Sequence, residues 1–251
     1  MEITLKGGLG NQLFQIAFAE YVKKNSNNNL EIHLNLNWFQ NQSKRKYILE
    51  EYYSHNFPKI IKKDKLLDRV LSYRSEYFFS YLAKKKFVCK KIYNGYWQDI
   101  FFSNYLNLEK LNHNLFKINV DLPEKYYIAH FRGGDFFTSK AHIVLDESYY
   151  RVALTRFQNF PIIAIGDKDH VQNILKKINN KNITYLNLDE FNSFSTIINS
   201  CGGIASNSTF CWWGIYINLR KNKLPFVFPK TWMKNILYQN SKIKILNTIS
   251  I

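Results

Sequence analysis

What this sequence lacks narrows its class before any motif is read. It has three cysteines in 251 residues, Cys89, Cys201 and Cys211, widely spaced and without a CxxC pair. That excludes a disulfide framework and a cysteine zinc site, and it suits a reducing compartment. Ten glycines and five prolines exclude collagen-like and low-complexity chains. No uninterrupted apolar run approaches the roughly 18 residues that a membrane-crossing helix needs. The opening MEITLKGGLGNQ carries no signal-peptide apolar stretch, so the expectation is a cytoplasmic protein. Acids are scarce too: 19 Asp and Glu stand against 35 Lys and Arg, a formal net charge of +16. Such a charge favours an anionic partner: nucleic acid, a phosphorylated ligand or an acidic membrane surface.

Apolar and aromatic residues are plentiful, at 46% and 17% of the chain. That is too much apolar surface for a disordered chain, and the length fits one large domain or two small ones. Residues 3–5 read as a short strand running into the glycine-rich Lys6–Asn11, then an apolar helix from Leu13 that ends near Lys23–Asn25. Leu30, Ile32, Leu34 and Leu36 alternate with polar residues as a second strand. Residues 44–118 read as helix-prone, aromatic and basic; their stretch 59–91 is either a solvated helical face or a face for anionic lipid.

From Tyr126 strands and helices alternate. Strands are expected at 127–131, 161–165, 183–188, 203–205 and 226–228, and helices at 147–157, 170–178, 191–199 and 210–219. Alternation of this kind implies a parallel, doubly wound sheet. The fold class is therefore α/β, with two Rossmann-like halves facing a cleft. The expected division is an N-terminal acceptor-side domain, 1–118, with a helical insertion, and a C-terminal nucleotide-binding domain, 119–251, with a closing tail that packs back on the first half.

Ligands of open α/β sheets sit beyond the C-terminal ends of strands, and four polar segments follow expected strands. In Gly7–Gln12 the glycines allow close approach to backbone, and the amides of Asn11 and Gln12 suit sugar hydroxyls or phosphate oxygens. The segment is neither a G-x-G-x-x-G fingerprint nor a P-loop. His130–Phe136 places Arg132 beside Gly133 and Gly134, where its fork can grip a phosphate or brace a turn through Asp135. Gly166–Asp169 contains a D-x-D that could hold a cation, while Asp169 is placed to cap the following helix and a single carboxylate could touch a ribose or base. Ser206, Asn207, Ser208 and Thr209 are all helix-capping types and offer donors to a diphosphate at a helix start. Cys211, in the same segment, has no base partner and reads as structural.

Taken together, GGLGNQLFQ at 7–15, GYWQ at 95–98, HFRGGDF at 130–136, GD at 166–167 and SNSTFCWWG at 206–214 resemble the α-1,2-fucosyltransferases of glycosyltransferase family 11. The resemblance implies a GT-B-like fold, GDP-β-L-fucose as donor, and inverting transfer to the 2-hydroxyl of a galactoside. It implies neither a metal nor another cofactor. It implies as acceptor a galactose-containing oligosaccharide or a lipid-linked glycan of O-antigen or capsule, with peripheral association at the cytoplasmic membrane face left open. Carried over by position, Arg132 grips the β-phosphate and Asn11, with Gly8 and Gly10 behind it, reaches the diphosphate or fucose. Gln12 belongs to the same donor loop. Asp167 holds ribose or guanine. Ser206, Asn207, Ser208 and Thr209 bind phosphate. His130 and Asp135 shape the phosphate loop, and Asp135 is also the candidate base. The family's loop is H-x-R-R-x-D, and here Gly133 stands at its second arginine. Another GDP-sugar or linkage is the alternative; a nucleic-acid-binding module is disfavoured for want of RRM, KH or zinc-finger signatures.

Overall fold

The computed structural model describes residues 1–26, 31–41, 44–62, 92–180, 182–234, 243, 245 and 248–251. Contacts divide the chain into two compact units, Met1–Asn112 and His113–Ile251.

In the first unit the described strands are β1 (Glu2–Thr4), β2 (His33–Asn35), β3 (Lys59–Ile60) and β4 (Ile92–Tyr93), in the order β3-β2-β1-β4 and all parallel. Ile3 pairs with Leu34 on one side and Tyr93 on the other. Helix α1 (Leu9–Asn25) is buried on most of its circumference, including Leu13, Phe14, Ile16, Ala17 and Phe18. That is why its apolar residues form no narrow stripe. Lys23 and Lys24 in its last turn complement the helix dipole. Short helices α2 (Asn37–Gln40), α3 (Leu49–Tyr52) and α4 (Ile100–Ser103) complete the unit. The helix-prone reading of 44–118 is corrected at two points, because β3 and β4 lie within it. Most of the basic stretch, residues 63–91, lies outside the described residues, as do Cys89 and the strand position Leu30.

The second unit carries β5 (Tyr127–Phe131), β6 (Ile162–Gly166), β7 (Ile183–Tyr185), β8 (Gly203–Ile204), β9 (Phe226–Phe228) and β10 (Ile249–Ser250). Their order is β10-β9-β8-β5-β6-β7, all parallel. The helices are α5 (Glu147–Leu154), α6 (Lys168–Ile178), α7 (Glu190–Asn199) and α8 (Thr209–Lys221). Asp146 caps α5 by accepting from Ser148 and Tyr149, and Asp189 caps α7 by accepting from Asn192. Strand β5 is buried on both faces, as a central parallel strand must be. Tyr127, Ala129 and Phe131 point into one core cluster with Tyr150, Ala153, Val171 and Ile174. There Phe131 stacks on Tyr150 at 4.1 Å, and burial of each such aromatic is worth about 2–3 kcal/mol.

Two glycines set the spacing at this strand. Gly166 (φ +126°) and Gly203 (φ +146°) lie so close to the carbonyls of Phe131 and Ile128 that neither tolerates a Cβ. The expected tail helix falls mainly on residues outside the description. The chain instead ends in β10, which pairs with β9 in the second sheet: Ile249 lies opposite Val227.

Candidate functional site

In the first unit β1 delivers the chain to a turn at Gly7 (φ +82°), and Gly8 begins α1, its carbonyl accepting from the N–H of Asn11 and Gln12. A side chain at Gly8 would stand 3.5 Å from Nη1 of Arg45, so this guanidinium lies over the glycine turn. The N–H groups of Leu9 and Gly10, which precede the two bonds to Gly8 at the start of α1, have no intrahelical partner and point the same way. Asn11 Oδ1 accepts from Gln98 Nε2 at 2.9 Å. Gln15 Nε2 donates to Gly95 O at 3.2 Å, and Trp97 stacks on Phe18 at 4.1 Å. GGLGNQLFQ and GYWQ, 80 residues apart, thus dock on each other.

Gln12 does something other than reach a ligand. It is fully buried, its Nε2 donates to the carbonyls of Gly7 and Lys46, and its Oε1 accepts from Ile48 N–H. Its amide ties the glycine turn to the segment that follows Arg45. Gly10 is buried inside the first turn of α1.

In the second unit three motifs meet at the C-terminal ends of β5, β6 and β8. Arg132 leaves β5 and ion-pairs with Asp135; its Nη1 also lies 3.7 Å from Asp167 Oδ2. Its guanidinium covers the face of Phe136 at 4.9 Å. Asp167 Oδ2 accepts the N–H of Gly133 at 2.7 Å. Asp167 is the N-cap residue of α6, yet it makes no side-chain cap bond, because its carboxylate serves the Arg132 loop instead. The expectation that Asp169 caps this helix is corrected: Asp169 already lies in its first turn. Asp135 is the more open carboxylate, with 61% of its side chain exposed against 34% for Asp167.

Beneath the loop, His130 Nδ1 pairs with Ser206 Oγ at 2.7 Å, and both are buried. Burial, helped by the Arg132 charge, pushes the His130 imidazole down to about 3, so it is neutral. Asn207 is also buried, and its Nδ2 donates to the carbonyls of Ile143 and Trp232. Ser206 and Asn207 therefore hold the loop together from inside. Ser208 and Thr209 differ. Ser208 is the N-cap of α8 without a side-chain cap bond, and neither hydroxyl has a hydrogen bond among the described residues. With the first-turn N–H groups of a 13-residue helix they make a place for an anion. Cys211 is fully buried and its thiol is pushed up to about 12 by that burial, as befits a structural role.

The structure thus brings Arg132, Asp135, Asp167, His130 and Ser206 together. In the first unit Gln98 and Arg45 flank the glycine turn, and in the second Phe137, His142 and His170 flank the Arg132 loop; the sequence reading selected none of them as site residues. Gln98 lay in a quoted motif, and its amide was the signal. His142 stacks on Phe136 at 4.1 Å and its Nδ1 meets Ser139 Oγ at 2.7 Å; burial lowers its pKa, with Asp135 opposing. Gly133 is crowded: a Cβ there would stand 2.7 Å from Phe137 Cε2 and 2.8 Å from His170 Cβ. The space that any side chain at 133 would take is occupied by the Phe137 ring and the His170 side chain. Among the described residues, no three His, Cys, Asp or Glu side chains are grouped to hold a metal, and no helix is long and apolar enough to cross a membrane.

No family model matches the chain. It is 26% identical to the O-antigen biosynthesis glycosyltransferase WbnK of Escherichia coli, over 98% of this chain and 97% of WbnK. Among solved structures it is similar to a family 9 glycosyl transferase from Veillonella parvula, with a TM-score of 0.50 and 10% identity over 100% of this chain and 84% of that one. It is also similar to the E. coli heptosyltransferase WaaC with ADP, with a TM-score of 0.52 and 7% identity over 99% and 92% of the two chains. At such identities the two structures speak to the fold alone, and none of the three proteins is described as a fucosyltransferase. The chain has the α/β fold with parallel sheets of GT-B-like glycosyltransferases, and the full-length similarity to an O-antigen enzyme supports glycosyltransferase activity.

Proposed function

We propose that the chain is an inverting α-1,2-fucosyltransferase of glycosyltransferase family 11, taking L-fucose from GDP-β-L-fucose to the 2-hydroxyl of a galactoside. One observation carries this reading. HFRGGDF, GD and SNSTF, scattered over 80 residues of sequence, close on one another through Gly133–Asp167, Arg132–Asp167 and His130–Ser206. A cation and an open helix N-terminus then stand at neighbouring strand ends, β5 and β8. A nucleoside diphosphate fits there with one phosphate on the Arg132 guanidinium and the other on Ser208, Thr209 and the first-turn N–H groups of α8.

The chemistry follows from the charges. The acceptor 2-hydroxyl attacks the anomeric carbon of fucose on the face opposite the phosphate. The carbon–oxygen bond to GDP breaks, and its electron pair leaves with the β-phosphate. Arg132 meets the charge that develops there, which lowers the barrier more than it tightens the ground state. An arriving phosphate competes with Asp135 for Arg132. The more exposed carboxylate is then released to take the acceptor proton, the alternative acceptor of that proton being the leaving phosphate. Asp167, buried deeper, keeps the loop in place. The acceptor class is a galactose-containing glycan, free or lipid-linked, in O-antigen, capsule or related synthesis.

The test is GDP release from GDP-β-L-fucose with a panel of β-galactosides in EDTA. Release that depends on a galactoside, with the new fucose on its 2-hydroxyl by NMR, is expected. Release with a different GDP-sugar only, or a different linkage, would replace this reading.

A further inference from the structure

One exposed aromatic beside the Arg132 loop has no part in the scheme above. Phe137 is 60% exposed and is the aromatic member of the large exposed hydrophobic residues among those described. Its backbone is nevertheless held in a turn. Its N–H donates to Gly134 O at 3.2 Å, as the last residue of a 3-10 turn in which Phe136 N–H donates to Gly133 O. Its ring edge fills the space above Gly133 and meets the buried His170 ring at 5.5 Å and 80°. Folding has placed an aromatic surface toward water, where burial would have been favourable. The glycine at 133 is what makes room for it, since any side chain there would collide with Cε2.

The neighbourhood has a chemical bias. At the following residue, Gly134, a Cβ would stand 3.2 Å from Asp167 Oδ1. Asp167 uses Oδ2 on the Gly133 N–H, while Oδ1 accepts no hydrogen bond among the described residues. A flat π surface and a carboxylate oxygen therefore flank the same loop, on the β6 side of Arg132. A nucleobase has the complementary parts: a flat π face and N–H donors along one edge. With the diphosphate held between Arg132 and α8, on the β8 side, the nucleoside can run the other way along the strand ends, over Asp167 and Phe137.

We propose that Phe137 is the stacking face for the donor's nucleobase and that Gly133 is the residue that permits it. The inference rests on the diphosphate reading of Arg132. Removing a base–aromatic stack weakens binding roughly tenfold or more.

The experiment compares GDP and inorganic pyrophosphate binding by calorimetry in the full-length wild type, Phe137→Ala and Phe137→Trp. Phe137→Ala is expected to raise the GDP dissociation constant about tenfold or more and to leave that of pyrophosphate unchanged. Phe137→Trp restores GDP binding. A melting temperature unaltered in Phe137→Ala shows that the exposed ring was not holding the fold. An unchanged GDP constant, an equal loss for both ligands, or a loss confined to the acceptor KM would overturn the proposal, the last in favour of a sugar on this ring. A wild type that binds no GDP would overturn the donor reading itself, whereas normal wild-type binding with an unaffected Phe137→Ala overturns only the stacking role.

Discussion

Gly133→Arg would restore the second arginine of the family loop that this chain resembles, and the structure says that the restoration fails. The smaller step, Gly133→Ala, shows why. A Cβ at 133 would stand 2.7 Å from Phe137 Cε2, 2.8 Å from His170 Cβ and 3.2 Å from His170 Cγ. Carbon atoms prefer about 3.5–4.0 Å, so the two closest contacts are short by about 0.7 Å or more. Phe137 can swing toward solvent. The Cβ of His170 cannot, because it is attached directly to the backbone of α6 and the residue is only 3% exposed. The loop must therefore retreat, stretching the 2.7 Å bond from Gly133 N–H to Asp167 and carrying Arg132 with it. Overpacking of this kind costs about 1–3 kcal/mol. In a chain of this size that lowers the melting temperature by several degrees. A displacement approaching 1 Å at a positioned catalytic group costs up to about a hundredfold in rate. Steady-state kinetics with GDP-fucose and a galactoside, beside thermal melts, measure both. Gly133→Ala should lose about ten- to a hundredfold in kcat/KM, and Gly133→Arg at least as much. Wild-type or improved kcat/KM in Gly133→Arg would refute the crowding and return the second arginine to its family role.

Four other outcomes follow. Arg132→Ala should cost about a hundredfold or more in turnover through lost leaving-group stabilisation, with folding retained; near-normal turnover would remove Arg132 from that role. Asn11→Ala, which breaks the contact with Gln98, should cripple transfer without unfolding the protein, and unchanged kinetics would count against it. Stability should fall on acidification: His130 holds a folded value near 3 against about 6.5 unfolded. The unfolded chain therefore binds the extra proton, and the slope below pH 6.5 approaches about 1.4 kcal/mol per pH unit. Denaturant midpoints between pH 6.5 and 5 check this above the carboxylate range, and His130→Asn should flatten the curve by about one proton. Cys211 should resist alkylation at pH 8 in the folded protein and react once denatured; rapid native labelling would contradict its buried, protonated state.

Sequence pattern located β5, β6 and β9 well because continuous apolar runs such as Tyr127–Phe131 are what a strand buried on both faces requires. It missed β3, β4 and β10, each two residues long. No periodicity exists in so short a piece, and what makes Lys59–Ile60 a strand is β2, more than 20 residues earlier. The start of α6 was misplaced for a different reason. Asp169 looked like the cap, but the actual cap residue, Asp167, spends its carboxylate on Gly133, a tertiary partner that local rules do not contain. The same limit applies at the site. The chemistry-bearing residue types were visible at strand ends, yet Gln12 and Asn207 turn inward to brace loops, and only coordinates separate an amide that ties the backbone from one that waits for a ligand. Phe137 went unread because one exposed phenylalanine among 20 carries no pattern.

The central claim is that the loop around Arg132 holds a guanosine diphosphate, although a solved structure of similar fold carries ADP. Calorimetric titration of the wild type with GDP, ADP and UDP in EDTA, repeated with Arg132→Ala, tests it most directly. The account requires GDP to bind at least about tenfold more tightly than the other two and to lose most of that affinity without the arginine. Tighter binding of ADP, or GDP binding indifferent to Arg132, would contradict it.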